Sequence, residues 1–189
     1  MAVNLVFIRI PDRHEPNVSR LVNPFFITRI APEAFKPRPS ESNPNPELEA
    51  YTTIYTGPGD SVETNLTVTQ IENLLFKSGK AWPFVRVKPE SYYMDPEKNE
   101  PEEIEHYKQG VSVNVDMVAS MRDMEGNGND NEIQFGTADM IYTQTTSDEF
   151  YKKVEAIQGY ARQAMIEDVQ GVIVQSIQTG GAIYRAMKK

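Results

Sequence analysis

Few side chains in this sequence are suited to catalysis. It has two histidines, His14 and His106, and no cysteine. That removes thiol chemistry, disulfide scaffolds, iron–sulfur clusters and every zinc site that uses cysteine. His14 falls in a proline-bounded turn and His106 in an acidic stretch, and both are expected on the surface. A Ser-His-Asp arrangement is assembled in space and leaves no local trace, and no serine occupies a G-x-S-x-G elbow. Gly57-Pro58-Gly59-Asp60-Ser61 resembles a phosphate loop only in its glycines. It lacks the Gly-Lys-Ser/Thr ending, and Asp60 would repel phosphate. Asp123, Glu125 and Asn127 are spaced like the first ligands of an EF-hand loop, with Gly128 at the sixth place. The twelfth place is Gln134, and the flanks read as strands rather than helices. A solvated hairpin tip is the better account. No catalytic residue, metal site, cofactor or small-molecule substrate is expected.

Two further groups of residues suggest binding. Tyr51, Tyr55, Trp82, Phe84, Tyr92 and Tyr93 are aromatic, and Arg86 and Lys88 lie close to them in sequence. Single-strand nucleic-acid modules combine stacking aromatics with a positive groove, so Trp82, Phe84, Arg86 and Lys88 are candidates for that alternative. The acids from Glu90 to Glu105 follow at once, and core packing is the preferred role for the aromatics. Met117, Met121, Met124 and Met140 fall on an expected hairpin, where exposed methionines make an adaptable contact surface. With Phe35 and Arg38 of a proline-rich segment, they are the candidate partner-binding residues.

The elements that carry these residues are mixed. All 13 prolines lie between Pro11 and Pro101, and no glycine precedes Gly57, so the two halves follow different rules. Leu5–Ile8 with Ile10, and Phe25–Ile30, read as strands. Residues 31–50 hold five prolines and read as an extended arm lying on a neighbouring subunit, anchored by Phe35. A strand at Tyr51–Thr56, a turn at Gly57–Asp60 and a return strand at Ser61–Leu66 precede a helix whose Thr67 and Gln70 fit a capping box. Ala81–Val87 reads as another strand. Alternation from Val111 to Val118 and again from Ile133 to Tyr142 predicts a long hairpin over about 111–145, with a bulge at Gly136. Thr146 and Glu149 fit a second capping box, and apolar residues at helical spacing predict a helix over about 147–169.

The expected fold is therefore α+β: a small, mostly antiparallel sheet or partly open barrel under one helix, with the hairpin, the C-terminal helix and the arm. Residues 1–89 form a β-rich domain. Residues 90–189 form an acidic, hairpin and helical part, with a single composite domain joining it to the first as the alternative.

Charge sharpens the functional expectation. The 189 residues carry a formal net charge of −8, which argues against general binding to a phosphate backbone. The charge is uneven: residues 90–149 hold 15 acids and 3 bases, while the first 38 residues hold 6 bases and 3 acids. An acidic middle between mildly basic ends lets one copy's end meet another's hairpin. Hydrophobic residues make up 39%, as in globular chains. The first ten residues have too short an apolar run for a signal peptide, with Arg9 interrupting it, and no run reaches membrane-span length. These features predict a non-enzymatic structural or accessory subunit of a large assembly. A bacteriophage virion (capsid, head–tail connector or tail) is its most natural setting, and virion or host cytoplasm its expected location. Copies of itself and other subunits are the expected partners. The alternatives are the nucleic-acid module and a small metal-dependent hydrolase, the latter resting only on scattered carboxylates.

Overall fold

β-Branched residues place the main strands, and their alternation decides what each face buries. The computed structural model describes residues 6–159, apart from 16, 58, 79–81, 90–92, 95–100, 103–104, 125–130 and 137–138. The chain divides into two units, Met1–Tyr151 and Lys152–Lys189. Of the second, the described residues 152–159 are helical.

The first unit is built on an open, antiparallel five-stranded sheet. Its strands are β3 (Arg29–Phe35), β4 (Glu49–Gly57), β5 (Asp60–Thr64), β6 (Phe84–Val87) and β9 (Val111–Asn114), in the order β5-β4-β3-β9-β6. A hairpin of β1 (Ile8–Pro11) and β2 (Ser19–Val22) stands beside it. β7 (Tyr93–Met94) pairs with β8 (Pro101–Glu102). A meander of β10 (Val118–Arg122), β11 (Asn131–Phe135) and β12 (Met140–Thr143) forms a separate three-stranded sheet. The fold is thus α+β and mostly antiparallel, with no closed barrel among the described residues.

Register assigns the two faces of the large sheet. Arg29, Tyr55, Val113 and Val85 share one row, and Ile30, Ile54, Val62, Ser112 and Arg86 share the next. The Ile30 face packs with α1 (Val68–Lys77), whose Val68, Ile71 and Leu75 are buried at helical spacing beside Ile8, Ile10, Val22 and Ile27. Burying one such side chain is worth about 1.5–3 kcal/mol, so this face is the main source of stability. The capping box is present in full: Gln70 N–H donates to Thr67 Oγ1 at 3.2 Å, and Thr67 N–H donates to Gln70 Oε1 at 2.8 Å. The second box is present as well, between Thr146 and Glu149, and opens α2 over 147–159.

Four expectations change in detail. The strand expected over Phe25–Ile30 begins only at Arg29, because Asn23 accepts a hydrogen bond from Phe25 N–H (3.1 Å) and, with Pro24, sets a 3-10 turn at Pro24–Phe26. The proline-rich stretch 31–50 is strand at both ends: Ala31–Phe35 belong to β3, and Glu49 and Ala50 to β4, paired from Arg29↔Tyr55 to Phe35↔Glu49. Pro32 is tolerated there because β3 pairs with β9 only at Arg29 and Ile30, and beyond them no strand among the described residues needs its missing N–H. Residues 36–48 then make the connection, with one bridge between Ser40 and Asn43.

The long hairpin is divided. Asn114 Oδ1 accepts Asp116 N–H at 3.1 Å and caps a 3-10 turn at Val115–Met117. β9 therefore stays in the large sheet, and only β10 continues into the meander. The bulge lies between Val118 and Ser120, facing Phe135, rather than at Gly136. The tip at 125–130 and the helix beyond 159 lie outside the described residues.

Candidate functional site

The β1–β2 hairpin turns one side into the core and the other outward. Ile8, Ile10 and Val22 are buried, while Arg9 and Leu21, direct neighbours across the ladder, face away. The Asn23-Pro24 turn then places Phe25 and Phe26 on the outside. Phe7 (49%), Leu21 (63%), Phe25 (53%) and Phe26 (60%) all remain exposed. At about 150–250 Å² per aromatic side chain, they present on the order of 400 Å² of apolar surface. An exposed apolar patch of that size is within the range single domains carry, and such patches are often functional. Between Phe7, Leu21 and Phe26 runs a groove of about 360 Å³ with Val22 and Val62 at its base and Arg20, Asn23, Thr56 and Asp60 on its rim. The sequence signal for this surface was the Asn-Pro pair, which marks a turn rather than a strand.

The face of the large sheet opposite α1 carries two arginine clamps. Arg29 lies 3.6 Å over the Tyr55 ring and 5.7 Å from the Phe135 centroid, and it pairs with Asp139. Arg13 lies 3.8 Å over Tyr51 and pairs with Glu63 at 2.9 Å and with Glu49. The first clamp fastens the β11–β12 connection to the sheet, and the second fastens the N-terminal hairpin. Between them, Tyr55 Oη donates to Glu33 Oε1 at 3.0 Å. Burial raises Glu33 above the ordinary carboxyl range, against the pull of Tyr55 and Arg29. Burial, followed by the Glu33 charge, pushes Tyr55 up to about 12. Tyr51 is also raised by burial. Asp12 is lowered, first by the hydrogen bond from His14 N–H, which turns the chain after β1.

His106 departs from its expected surface role. Val68 N–H donates to Gln109 Oε1 at 3.2 Å, which orients the amide so that Gln109 Nε2 donates to His106 Nδ1 at 3.0 Å. His106 Nε2 then donates to the Tyr51 carbonyl at 2.5 Å. This relay ties α1 to β4 through the His106 ring. The polar groups of this face are thus used to hold elements together.

The residues singled out in the sequence scatter. Trp82 and Phe84 pack against the core on the α1 side. Trp82 Nε1 donates to Ser78 Oγ at 2.9 Å, and the Trp82 ring meets Phe25 edge-on at 4.9 Å. Tyr51 and Tyr55 lie on the opposite face, so the sheet divides these four aromatics. Arg86 forks onto Glu72 and reaches Thr69 of α1, and Lys88 stands 3.6 Å from Glu149. Phe35 is exposed at the end of β3, and Arg38 is exposed in the connection beyond it. In the meander, Met140 faces outward in the row with Gln134 and Ser120, whereas Met121 shares the inner row with Ile133 and Ile141. Met117 is half-buried and Met124 exposed. Asp123, the first residue of the calcium-like spacing, accepts hydrogen bonds from Ser147 N–H (2.8 Å) and Ser147 Oγ (2.5 Å) at the start of α2.

Among the described residues, no three His, Cys, Asp or Glu side chains stand together as a metal site, and no helix is long and apolar enough to cross a membrane. No family model, curated protein or solved structure matches the chain.

Proposed function

We propose that this chain is a non-enzymatic structural or accessory subunit of a large protein assembly, and that its surfaces serve to meet neighbouring subunits. One observation carries the reading: four large apolar side chains, Phe7, Leu21, Phe25 and Phe26, converge on the N-terminal hairpin and turn, all about half exposed or more. The largest apolar patch on a domain is often its functional surface, and these four residues supply such a patch here. The other conspicuous chemistry supports the same reading, because Arg13, Arg29 and Arg86 each hold a carboxylate of the fold itself. Phe35 and Arg38 on the β3 side, and Met124 and Met140 on the meander, add exposed contact residues. We assign the assembly to a bacteriophage virion as the setting that best suits a small, cysteine-free chain with a divided charge.

Light scattering on the eluting protein tests the reading. The wild type is expected to elute above the 21.4 kDa of one chain. A Phe7→Ser/Phe26→Ser variant is expected at that mass with an unchanged circular dichroism spectrum. Wild-type protein that elutes as a monomer at every concentration would count against the assembly role.

A further inference from the structure

We propose that the outward face of the β1–β2 hairpin receives the outward face of the β10–β12 meander of a second copy of this chain. The proposal rests on the assembly reading above and names the partner and the contact.

The two faces match in pattern. On the hairpin, Leu21 and Arg9 are neighbours across the ladder, both exposed, with Phe7 and Phe26 alongside across the groove. On the meander, Tyr142 and Glu132 are neighbours across the ladder, and the next outward row is Met140 and Gln134. Met140 is 49% exposed and Tyr142 36%. Each face is a small sheet with apolar residues in line and charged residues beside them, Arg9 on the hairpin and the cross-strand neighbours Glu132 and Arg122 on the meander. Two such sheets pack face to face with their side chains interdigitated.

The charges select this pairing over two like faces meeting. Among the described residues Arg9 makes no ion pair, and Glu132 makes none, its carboxylate accepting only from Gln134 Nε2. Arg122 stands across the ladder from Glu132 on its far side and offsets part of its charge. The wider field still favours the match: exposed Asp116 and Asp148 flank the meander in sequence, and the 90–149 region is strongly acidic where the first 38 residues are basic. Hairpin against hairpin would set Arg9 near Arg9. Hairpin against meander sets Arg9 near Glu132, with Leu21 over Tyr142 and Met140 directed toward the Phe7–Phe26 groove. Such a contact is head-to-tail. It leaves one free hairpin and one free meander on every pair, so it builds rings or filaments rather than stopping at a dimer.

Two variants, each disabled on one face, test this. Leu21→Asp and Tyr142→Asp each alter one exposed side chain, and circular dichroism checks that both still fold. Each alone is expected to be monomeric, while an equimolar mixture forms a one-to-one pair and nothing larger, because each variant supplies the face that the other lacks. A charge exchange gives a second readout that does not depend on those variants folding. Arg9→Glu is expected to weaken self-association about tenfold, and Arg9→Glu combined with Glu132→Arg to restore most of it. If the wild type associates but the mixture stays monomeric and the exchange restores nothing, the hairpin–meander contact is refuted while the assembly role stands. If the wild type itself does not associate, both are refuted.

Discussion

Replacing Arg29 by methionine removes the residue that joins the meander to the large sheet. Arg29 is 8% exposed, and its guanidinium is held between the Tyr55 ring at 3.6 Å and the Asp139 carboxylate. Breaking a buried ion pair by removing one partner costs about 3–5 kcal/mol, because the other charge is left without compensation. The Asp139 side chain is 28% exposed and regains part of its hydration, which lowers that cost to about 2–3 kcal/mol. Loss of the stacked cation adds about 0.5–1 kcal/mol. Arg29→Met is therefore expected to destabilise the fold by about 3 kcal/mol, a drop in Tm of roughly 6–12 °C for a unit of this size. Urea unfolding followed by the single tryptophan, Trp82, measures it, since that side chain packs against the same unit's core. A cycle with Asp139→Asn isolates the pair, with an expected coupling of about 1–3 kcal/mol. A cost below about 0.5 kcal/mol, or additive single variants, would refute the clamp as a structural element.

Glu33 holds its proton more tightly in the folded chain than in the unfolded one. Its contribution is present below the ordinary carboxyl range and is lost as pH rises through the raised folded value. Glu33→Gln keeps an acceptor for Tyr55, so it should raise Tm at neutral pH and leave it unchanged in strong acid. A variant no more stable than wild type at pH 7 would contradict this. Tyr55, raised to about 12, likewise stabilises below its ordinary value and loses that contribution as pH climbs toward 12, so Tyr55→Phe should reduce the alkaline loss seen in thermal melts. Gly110 has φ +74°, and a Cβ there would stand 2.6 Å from the Val87 carbonyl oxygen. Gly110→Ala is accordingly expected to cost at least about 1–2 kcal/mol by urea unfolding, from the backbone strain alone. Thr52 Oγ1 is buried without a hydrogen-bond partner among the described residues, so Thr52→Val should be neutral or stabilising in the same assay.

Local signals in the sequence were legible. Both capping boxes, at Thr67/Gln70 and Thr146/Glu149, are read from residues three apart, and both form as written. So was the strand at Tyr51–Thr56, whose types fit a pleated surface. What failed was set by distant partners. The clamp between Arg29 and Asp139 spans 110 positions, and the bond from His106 to Tyr51 spans 55. No period in the sequence announces either. Val111–Met117 alternates without a break, yet Asn114 uses its side chain to cap a turn and to donate to the Ile27 carbonyl at 2.8 Å. The chain therefore leaves the sheet where the pattern continues. The Phe25-Phe26 pair reads as strand by composition, but the preceding Asn-Pro fixes a turn that turns both rings outward. That local conflict between propensity and capping creates the exposed surface on which the proposed function rests.

Sedimentation velocity of the wild-type chain over a concentration series, at low and high salt, tests the central claim most directly. The account predicts that the weight-average sedimentation coefficient rises with concentration and that added salt returns it toward the monomer value, since charge helps select the contact. A single monomeric boundary at every concentration and both ionic strengths would contradict it.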